Sequence, residues 1–416
     1  MVSKSVIQLM TYGIEKLDIY AGCLATDAVA LAQRHGKDES YATNDIMVGS
    51  RAVIPPYEDA VTLAVNAARG MLTEDDRKNI ELVIVASESG VDFGKPISSW
   101  VHRFCRLPDC CRNFEVKHAC YGATAALKSA IALLAASGRP EAKALVISSD
   151  LTRPKLAEDF DYIGGGCAVA LLVSGKPDIL GIPLSDAGYW SYEIADTFRP
   201  TAGTEISDGQ SSVFSYLDAL DGAYEHFVEV VGLASYDAEF RKHIYHTPFP
   251  GMAYKAHASL LGSFGITDKA DIQDNFDRKV RDGLSIARRI GTAYGASNFV
   301  SLLSVLNSAK DLSENDQISL FAYGSGCQSE FYRAYVGPRA VEFVSKLNLE
   351  DYLDNRRQLT VEEYLENEEA RAAMIDQPGV DLLPFQSNGD FADAYKGKEL
   401  LVLSRVEAYR REYGWS

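Results

Sequence analysis

Short runs of β-branched and aliphatic residues alternate along this chain with segments rich in alanine and leucine, and this alternation restricts the fold most. Four runs are predicted to be buried strands: ELVIVASES (81–89), KALVISSD (143–150), CAVALLVS (167–174) and ISLFAYGSG (318–326). Between them, YGATAALKSAIALLAA (121–136) has the three- to four-residue apolar spacing of a buried helix. The pattern predicts an α/β protein in which helices cover a largely parallel sheet.

Composition excludes several kinds of partner. Lys and Arg total 41 against 58 Asp and Glu, a net charge of −17, so the field of the protein repels nucleic-acid phosphates and anionic lipid surfaces. No stretch approaches the ~18 consecutive apolar residues of a membrane helix, and the N-terminus lacks a long apolar segment followed by a small-residue cleavage site. We therefore expect a cytoplasmic protein that binds neither nucleic acid nor membranes.

Neither the cysteines nor the glycine clusters indicate a bound metal or nucleotide. The seven cysteines are an odd number in a long chain, and none forms a CxxC pair. Cys105, Cys110 and Cys111 lie close together but have no His at a zinc-like spacing. Gly164, Gly165 and Gly166, and Gly324 and Gly326, match neither GxxxxGK[ST] nor GxGxxG, so they indicate tight turns or a close approach of the backbone to a substrate.

Cys120 is placed to act as a nucleophile. In FEVKHACYGATAAL (114–127), a strand-like FEV leads into a small-residue helix that begins near the cysteine. The positive end of a helix dipole stabilises a thiolate, so this position is predicted to lower the pKa of the thiol. The alternative is an inert buried cysteine, which is the commoner fate of a free cysteine.

Two further side chains are candidates for acid and base chemistry. Glu88 follows the apolar run VIVAS, at the strand edge where sites collect in open α/β sheets, and a partly apolar pocket would raise its pKa. A turn-capping or surface glutamate is the alternative. His246 precedes a proline-rigidified segment, but His243 and His257 are nearby alternatives, and lone histidines are more often structural.

A glycine-rich turn, YGSGCQSE (323–330), ends another predicted strand. The backbone N–H groups around Ser325 and Gly326 are candidates to face a developing oxyanion. An ordinary tight turn is the alternative.

Four elements follow one another along the chain: Glu88 at a strand end, Cys120 at a helix start, His246 before TPF, and the YGSG turn. In this order they resemble the 3-hydroxy-3-methylglutaryl-CoA (HMG-CoA) synthase family of the thiolase superfamily. The similarity extends from about residue 13 to the C-terminal EAYRREYGW. ESGVDFGK, HTPF, SYLD and the EYGW ending are more similar to the branch that serves polyketide β-branching than to the mevalonate enzymes. The segments that carry the resemblance are ASESGVDFGK (86–95), EVKHACYGAT (115–124), DTFRP (196–200), YHTPFPGM (245–252) and YGSGCQSEFY (323–332).

The resemblance implies a thiolase fold, in which two similar αβα halves form a five-layered αβαβα core, and a homodimer. The halves would be residues 1–180, with Glu88 and Cys120, and residues 181–416, with His246 and the YGSG turn. Cys120 would take acetyl from a donor thioester, and Glu88 would remove a proton from the acetyl methyl. The enolate would attack the β-ketone of a second thioester, with His246 holding the acceptor carbonyl, and water would release the product.

The resemblance also implies further site residues. Thr292 stands where the family usually has an asparagine, which puts in doubt how the acceptor thioester or Glu88 is held. Lys255 and Arg51 are predicted to form a basic rim at the mouth of the thioester tunnel, because carrier proteins are acidic. The implied partners are donor and acceptor acyl carrier proteins and other enzymes of a β-branching cassette. No cofactor is implied beyond the phosphopantetheine-bound thioesters.

Three other functions remain open at this point. The same chemistry on acetyl-CoA and acetoacetyl-CoA would supply isoprenoid synthesis. A catalytically silent chain would only bind carrier proteins. A decarboxylating ketosynthase would have no need of a base such as Glu88.

Overall fold

The computed structural model describes residues 12–153, 161–232, 236–386 and 389–416. Its strands are β1 (Gly13–Tyr20), β2 (Leu24–Asp27), β3 (Ser50–Val53), β4 (Ile80–Ala86), β5 (Arg112–Val116), β6 (Lys143–Leu151), β7 (Gly166–Ser174), β8 (Leu180–Gly181), β9 (Ala187–Ser191), β10 (Thr197–Phe198), β11 (Ile206–Ser207), β12 (Lys242–Tyr245), β13 (Gln317–Gly324), β14 (Gln328–Val336), β15 (Arg357–Leu359), β16 (Gly379–Asp381), β17 (Leu401–Glu407) and β18 (Arg410–Trp415). The four strands predicted from the apolar runs are thus present as β4, β6, β7 and β13.

The helices include α5, which was predicted over residues 121–136. They are α1 (Ala28–Arg34), α2 (Ala60–Arg69), α3 (Glu74–Asn79), α4 (Ile97–Phe104), α5 (Gly122–Ser137), α6 (Gly209–Val231), α7 (Tyr236–Glu239), α8 (Pro250–Ser263), α9 (Lys269–Lys279), α10 (Ala287–Ile290), α11 (Ser297–Ser308), α12 (Ala340–Ser345), α13 (Leu349–Asp354), α14 (Val361–Met374), α15 (Leu383–Gln386) and α16 (Gly389–Ala394).

The main sheet is mixed, so the prediction of a largely parallel sheet is wrong. Its order across the described residues is β12-β13-β14-β8-β1-β7-β6-β4-β5, with β9 also paired to β14. Only the pairs β4–β5, β4–β6 and β12–β13 are parallel among these. Strands β13 and β14 are joined by a turn of three residues, and so short a connection permits only antiparallel pairing.

The sheet repeats one topology twice. In the first half, β1 pairs antiparallel with β7, β7 antiparallel with β6, and β6 parallel with β4. In the second half, β8, β14, β13 and β12 follow in the same order with the same directions. Strand β8 also pairs with β1 and so joins the halves. The boundary expected between residues 180 and 181 falls inside this short strand.

Three apolar clusters separate the helices into layers. Successive side chains of a strand point to opposite faces, and on β7 Leu171 faces one cluster while Leu172 faces another. The middle cluster contains α5 and α11 between strands of both halves. The outer clusters contain α2 and α4 on the first half, and α6, α8 and α9 on the second. The layers are therefore those of an αβαβα core.

One helical segment of the described chain, Ala119–Ser137, is long and apolar enough to cross a membrane. It consists of α5 and the residues just before it. Its side chains Leu127 and Ile131 pack in the middle cluster between the strands of the two halves. A central core helix passes the same test of length and composition, so this segment is weak evidence for a membrane span.

Candidate active site

Cys120 and Glu88 meet where the first half of the sheet ends. Cys120 lies between β5 and α5, and Glu88 lies two residues after β4, which is hydrogen-bonded to β5. The Sγ atom of Cys120 lies 3.4 Å from Oε1 of Glu88 and donates to it. The carboxyl ends of parallel strands meet at one edge, which is why residues 32 apart in sequence come together here.

The thiol of Cys120 is protonated at rest, so the sequence prediction of a lowered pKa is wrong. Burial raises the pKa of Cys120 well above its ordinary value, and the nearby carboxylates of Glu88 and Asp150 raise it further. A protonated thiol can act as a nucleophile only by losing its proton, and Oε1 of Glu88 is the carboxylate oxygen that this thiol contacts.

Arg199 is a member of this site that the sequence reasoning missed. Its Nη1 donates to the carbonyl oxygen of Glu88 at 3.2 Å and to Oγ of Ser89 at 3.0 Å, and its Nε lies 3.7 Å from Oε2 of Glu88. Burial raises the pKa of Glu88, the charge of Arg199 opposes that rise, and Glu205 adds to it. The DTFRP segment was the available signal, because Arg199 is its arginine.

Asp150 was also missed, although it follows the same rule that singled out Glu88. It lies near the carboxyl end of β6, beside β4, and its Oδ1 accepts the backbone N–H of Glu88 at 2.8 Å. Burial and the charge of Glu88 raise the pKa of Asp150 to about 7. The residue therefore anchors the backbone of Glu88 and sets part of its electrostatic environment.

His246 is buried just beyond the end of β12, with 2% of its surface exposed. Its Nδ1 lies 2.6 Å from Oγ of Ser297, and its backbone N–H donates to the carbonyl oxygen of Phe321 at 2.8 Å. Burial lowers the pKa of His246 to about 3, so the imidazole is neutral. The alternatives His243 and His257 contact Ser319 and Asn275 in the interior of the second half, where they complete the packing.

The second half brings its loops directly against Cys120. A Cβ at Gly324 would lie 2.6 Å from the backbone nitrogen of Tyr121, so only glycine permits this approach of the YGSG turn. A Cβ at Gly295 would lie 3.2 Å from the carbonyl oxygen of Cys120. Ser297, which contacts His246, follows two residues later. The segment 295–297 therefore contacts the backbone of Cys120 at one end and the ring of His246 at the other.

One of the backbone N–H groups that were predicted to face an oxyanion in the YGSG turn already has a hydrogen-bond acceptor. The backbone N–H of Gly326 donates to Oδ1 of Asp196 at 3.1 Å, so it is not free to bind an oxyanion in this structure. Asp196 also accepts from the hydroxyl of Tyr323 at 2.8 Å, so the aspartate of DTFRP holds the turn in place. Ser325 is half-buried at the tip, and its role stays a prediction.

Arg51 is not a rim residue, and that prediction is wrong. It is 1% exposed, and its Nη1 donates to Oδ1 of Asp161 and to the hydroxyl of Tyr364, both at 2.9 Å. A Cβ at Gly164 would lie 2.7 Å from Nη1, so the backbone at Gly164 packs against this guanidinium. Both faces of β3 are covered, so Arg51 is buried with its neighbours, and the carboxylate of Asp161 compensates its buried charge.

The structure gives the positions of Thr292 and Lys255, and their roles at the site stay predictions. The backbone N–H of Thr292 donates to the carbonyl oxygen of Ile163 at 2.9 Å, and its side chain is half-buried. Lys255 is exposed on α8, with its Nζ 5.8 Å from the ring centroid of Phe249, three residues after His246. It is therefore a surface cation close to the segment that carries the histidine.

This constellation defines an acyl-transferring condensing enzyme. A thiol in contact with a carboxylate of raised pKa can form an acyl-thioester and then remove a proton from a carbon acid. A neutral buried imidazole can donate to a developing oxyanion without the cost of desolvating a charge.

Comparison with known proteins assigns the family. Residues 266–415 match the family model described as hydroxymethylglutaryl-coenzyme A synthase C terminal. The chain is 34% identical over 98% of its length, and all of the relative's, to the polyketide biosynthesis 3-hydroxy-3-methylglutaryl-ACP synthase PksG of Bacillus subtilis (strain 168). It is 33% identical, over 85% of its length and 91% of the relative's, to the hydroxymethylglutaryl-CoA synthase of Enterococcus faecalis.

Among solved structures, the HMG synthase of the curacin biosynthetic pathway is similar with a TM-score of 0.92 and 37% identity, covering 97% of this chain and 100% of that one. The same enzyme has been solved in complex with an apo donor-ACP, and that structure matches with the same values. The chain belongs to the HMG-CoA synthase family. The thiolase fold and the condensing activity predicted from the sequence are thereby confirmed.

Proposed function

We propose that this enzyme condenses an acetyl group, held on Cys120 and delivered by a donor acyl carrier protein, with the β-ketone of a polyketide intermediate on an acceptor carrier protein. The addition is of the aldol type, and hydrolysis then leaves a β-branch on the acceptor. The contact between the Cys120 thiol and the Glu88 carboxylate carries this proposal, because it joins the acyl acceptor to the enolising base. The ACP-directed activities named for the similar enzymes support carrier-protein substrates.

The reaction follows from the contacts of the site. Cys120 attacks the donor thioester as Glu88 takes its proton. The pantetheine thiolate leaves and takes that proton from Glu88, which is again a carboxylate. Glu88 then removes a proton from the methyl of acetyl-Cys120, and the enolate carbon bonds to the β-carbonyl carbon of the acceptor. The new alkoxide accepts a hydrogen bond from His246 and the proton from Glu88. Water cleaves the Cys120 thioester, which restores the thiol and leaves a carboxylate on the product.

The choice of donor tests the proposal. Wild-type enzyme is incubated with equal concentrations of acetyl-carrier protein and acetyl-CoA, and intact mass follows the added acetyl group on Cys120. Faster loading from the carrier protein supports the proposal. Faster loading from acetyl-CoA, with product formed from acetoacetyl-CoA, would instead assign the enzyme to isoprenoid supply. Absence of loading from both would indicate a catalytically silent chain.

Removing the charge of Arg199 is expected to move the acid limb of the condensation rate to higher pH. The base must be a carboxylate, Arg199 holds the pKa of Glu88 down, and Arg199→Ala lets that pKa rise. The rate is then lost at a higher pH as the solution is acidified. The acid limb is measured as the pH dependence of the single-turnover condensation rate, starting from enzyme that is already acetylated.

Glu205→Gln is the matched control for this titration. Glu205 raises the pKa of Glu88, so its neutralisation is expected to move the same limb to lower pH. Arg199→Lys keeps the positive charge and is expected to move the limb less than Arg199→Ala does. Identical limbs in all three variants would contradict Glu88 as the base.

Charge reversal at Lys255 is expected to raise the apparent KM for acetyl-carrier protein several-fold. Rim charges act mainly on encounter with a charged partner, and this exposed cation lies beside the segment after His246. Acylation of Lys255→Glu by the small thioester acetyl-N-acetylcysteamine is expected to remain nearly unchanged. Equal losses with both donors would assign the effect to the catalytic centre and remove the docking role.

Several further properties belong to this proposal. Within the described residues, strand β5 is an edge of the main sheet, with one side unpaired, and its residues from Asn113 to Val116 are half-exposed. Such an edge is suited to pairing with a second copy in a homodimer. We propose that the enzyme works in the cytoplasm with other enzymes of a β-branching cassette. The proposed reaction uses no cofactor beyond the phosphopantetheine-bound thioesters. Residues 1–180 and 181–416 are proposed as the two halves of the enzyme.

A further inference from the structure

Among the described residues, one side chain, that of Ser297, is hydrogen-bonded to the imidazole ring of His246. Ser297 is the first residue of α11, and its Oγ lies 2.6 Å from Nδ1 of His246. The backbone N–H of Thr247 points to the same oxygen from 3.4 Å. Both Ser297 and His246 are buried, so water does not compete for these groups.

The hydrogen atoms around the Ser297 oxygen can be assigned by counting donors. A serine hydroxyl has one hydrogen to donate and two lone pairs to accept with. The N–H of Thr247 uses one lone pair, so the hydroxyl hydrogen needs an acceptor, and the ring nitrogen of His246 is the acceptor at hydrogen-bond distance. If the ring nitrogen donated instead, the described residues would offer the buried hydroxyl hydrogen no acceptor, which costs free energy.

We propose that Ser297 is a positioning residue that holds His246 in the neutral tautomer with its hydrogen on Nε2. The burial that keeps the ring neutral supports this, because a neutral imidazole with Nδ1 as acceptor carries its hydrogen on Nε2. His246 then presents a hydrogen-bond donor to the acceptor carbonyl and keeps its hydrogen throughout. The proton that reaches the alkoxide comes from Glu88. This inference rests on the proposed condensation for the step that it serves.

The surroundings of Ser297 explain how it can position the ring accurately. The loop before it packs on the carbonyl oxygen of Cys120 at Gly295. The residue after it, Asn298, donates from Nδ2 to the carbonyl oxygen of Phe321 at 2.9 Å, which also accepts the backbone N–H of His246. The start of α11 therefore fixes both the histidine backbone and its ring relative to the nucleophile.

The tautomer is measured directly by nitrogen-15 NMR of protein labelled at histidine, with His246→Gln used to assign the signals. Wild-type His246 is expected to show an acceptor-type Nδ1 and a hydrogen-bearing Nε2. In Ser297→Ala the ring loses its donor, and the Nδ1 signal is expected to shift toward the hydrogen-bearing form. A hydrogen-bearing Nδ1 in the wild type would overturn the proposal.

Kinetics separate positioning from a general structural role. Ser297→Ala is expected to slow single-turnover condensation roughly 10–100-fold, the loss typical of a misdirected donor, while acetyl loading of Cys120 stays near the wild-type rate. Ser297→Thr retains the hydroxyl and is expected to recover most of the rate. Ser301→Ala is the matched control, because Ser301 is a buried serine one turn further along α11 whose Oγ has no hydrogen-bond partner in the part of the chain that the structure describes.

Two results would count against the role of Ser297. Equal losses in loading and condensation would indicate general damage to the site, and an equal loss in Ser301→Ala would indicate damage to the helix. Failure of the proposed function is distinguishable, since it would appear as absent acetyl loading in the wild type. The NMR measurement of the tautomer does not depend on that loading.

Discussion

Acetyl-Cys120 is expected to accumulate in Glu88→Gln, while condensation falls by roughly 10²–10⁴. Glutamine keeps the shape of the side chain and can still accept the thiol hydrogen bond, but it cannot take a proton from the acetyl methyl. Loading should be slower than in the wild type, because the thiol at rest is protonated and Glu88 is positioned to accept its proton. Enolisation has no other base in the proposed sequence of steps, so the larger loss falls there.

Intact mass and product analysis from one reaction give both steps. The variant is mixed with acetyl-donor, the acetylated fraction is followed to its plateau, and the acceptor thioester is then added. A stable acetylated enzyme with little product is the expected result. If Glu88→Gln failed to load at all, but condensed normally once chemically preloaded, the assignment of Glu88 as enolising base would be wrong.

Cys120→Ala is expected to abolish acyl loading and product formation while the fold remains intact. The acyl group needs a covalent anchor, and none of the remaining cysteines contacts Glu88 among the described hydrogen bonds. Removal of one half-buried thiol should change the free energy of unfolding by about 1 kcal/mol or less. Intact mass after incubation with acetyl-donor and thermal unfolding of the same sample provide the two measurements.

Cys110→Ala is the control for this loss, because Cys110 is exposed and outside the site. It is expected to load acetyl at the wild-type rate. Peptide mapping of the acetylated wild type should place the added mass on Cys120. If Cys120→Ala were still acetylated at the wild-type rate, the proposed acyl-cysteine mechanism would be wrong, whatever the other variants showed.

The local pattern of apolar residues was sufficient to predict several strands and one helix, but not the way in which the strands pair. Strands β4, β6, β7 and β13 and helix α5 were predictable because each buries apolar side chains with its own period. The directions of the strands were not, because they depend on connections such as the three-residue turn before β14. The family and its condensing activity were predictable from motifs spread along the chain, and the comparisons confirm both.

The sequence alone determined the α/β class, because that class depends on the local periodicity of apolar residues. It also determined the family and the candidates Cys120, Glu88 and His246, because motifs spread along the chain resemble that family, although local spacing alone left each residue open. Only the tertiary structure decided their electrostatics. Arg199 reaches the carbonyl of Glu88 across 111 residues, and Ser297 reaches His246 across 51. Burial likewise reversed the expected pKa of the Cys120 thiol and moved Arg51 from the predicted rim to the interior. Burial and through-space charge are properties of neighbours distant in sequence, and no local pattern encodes them.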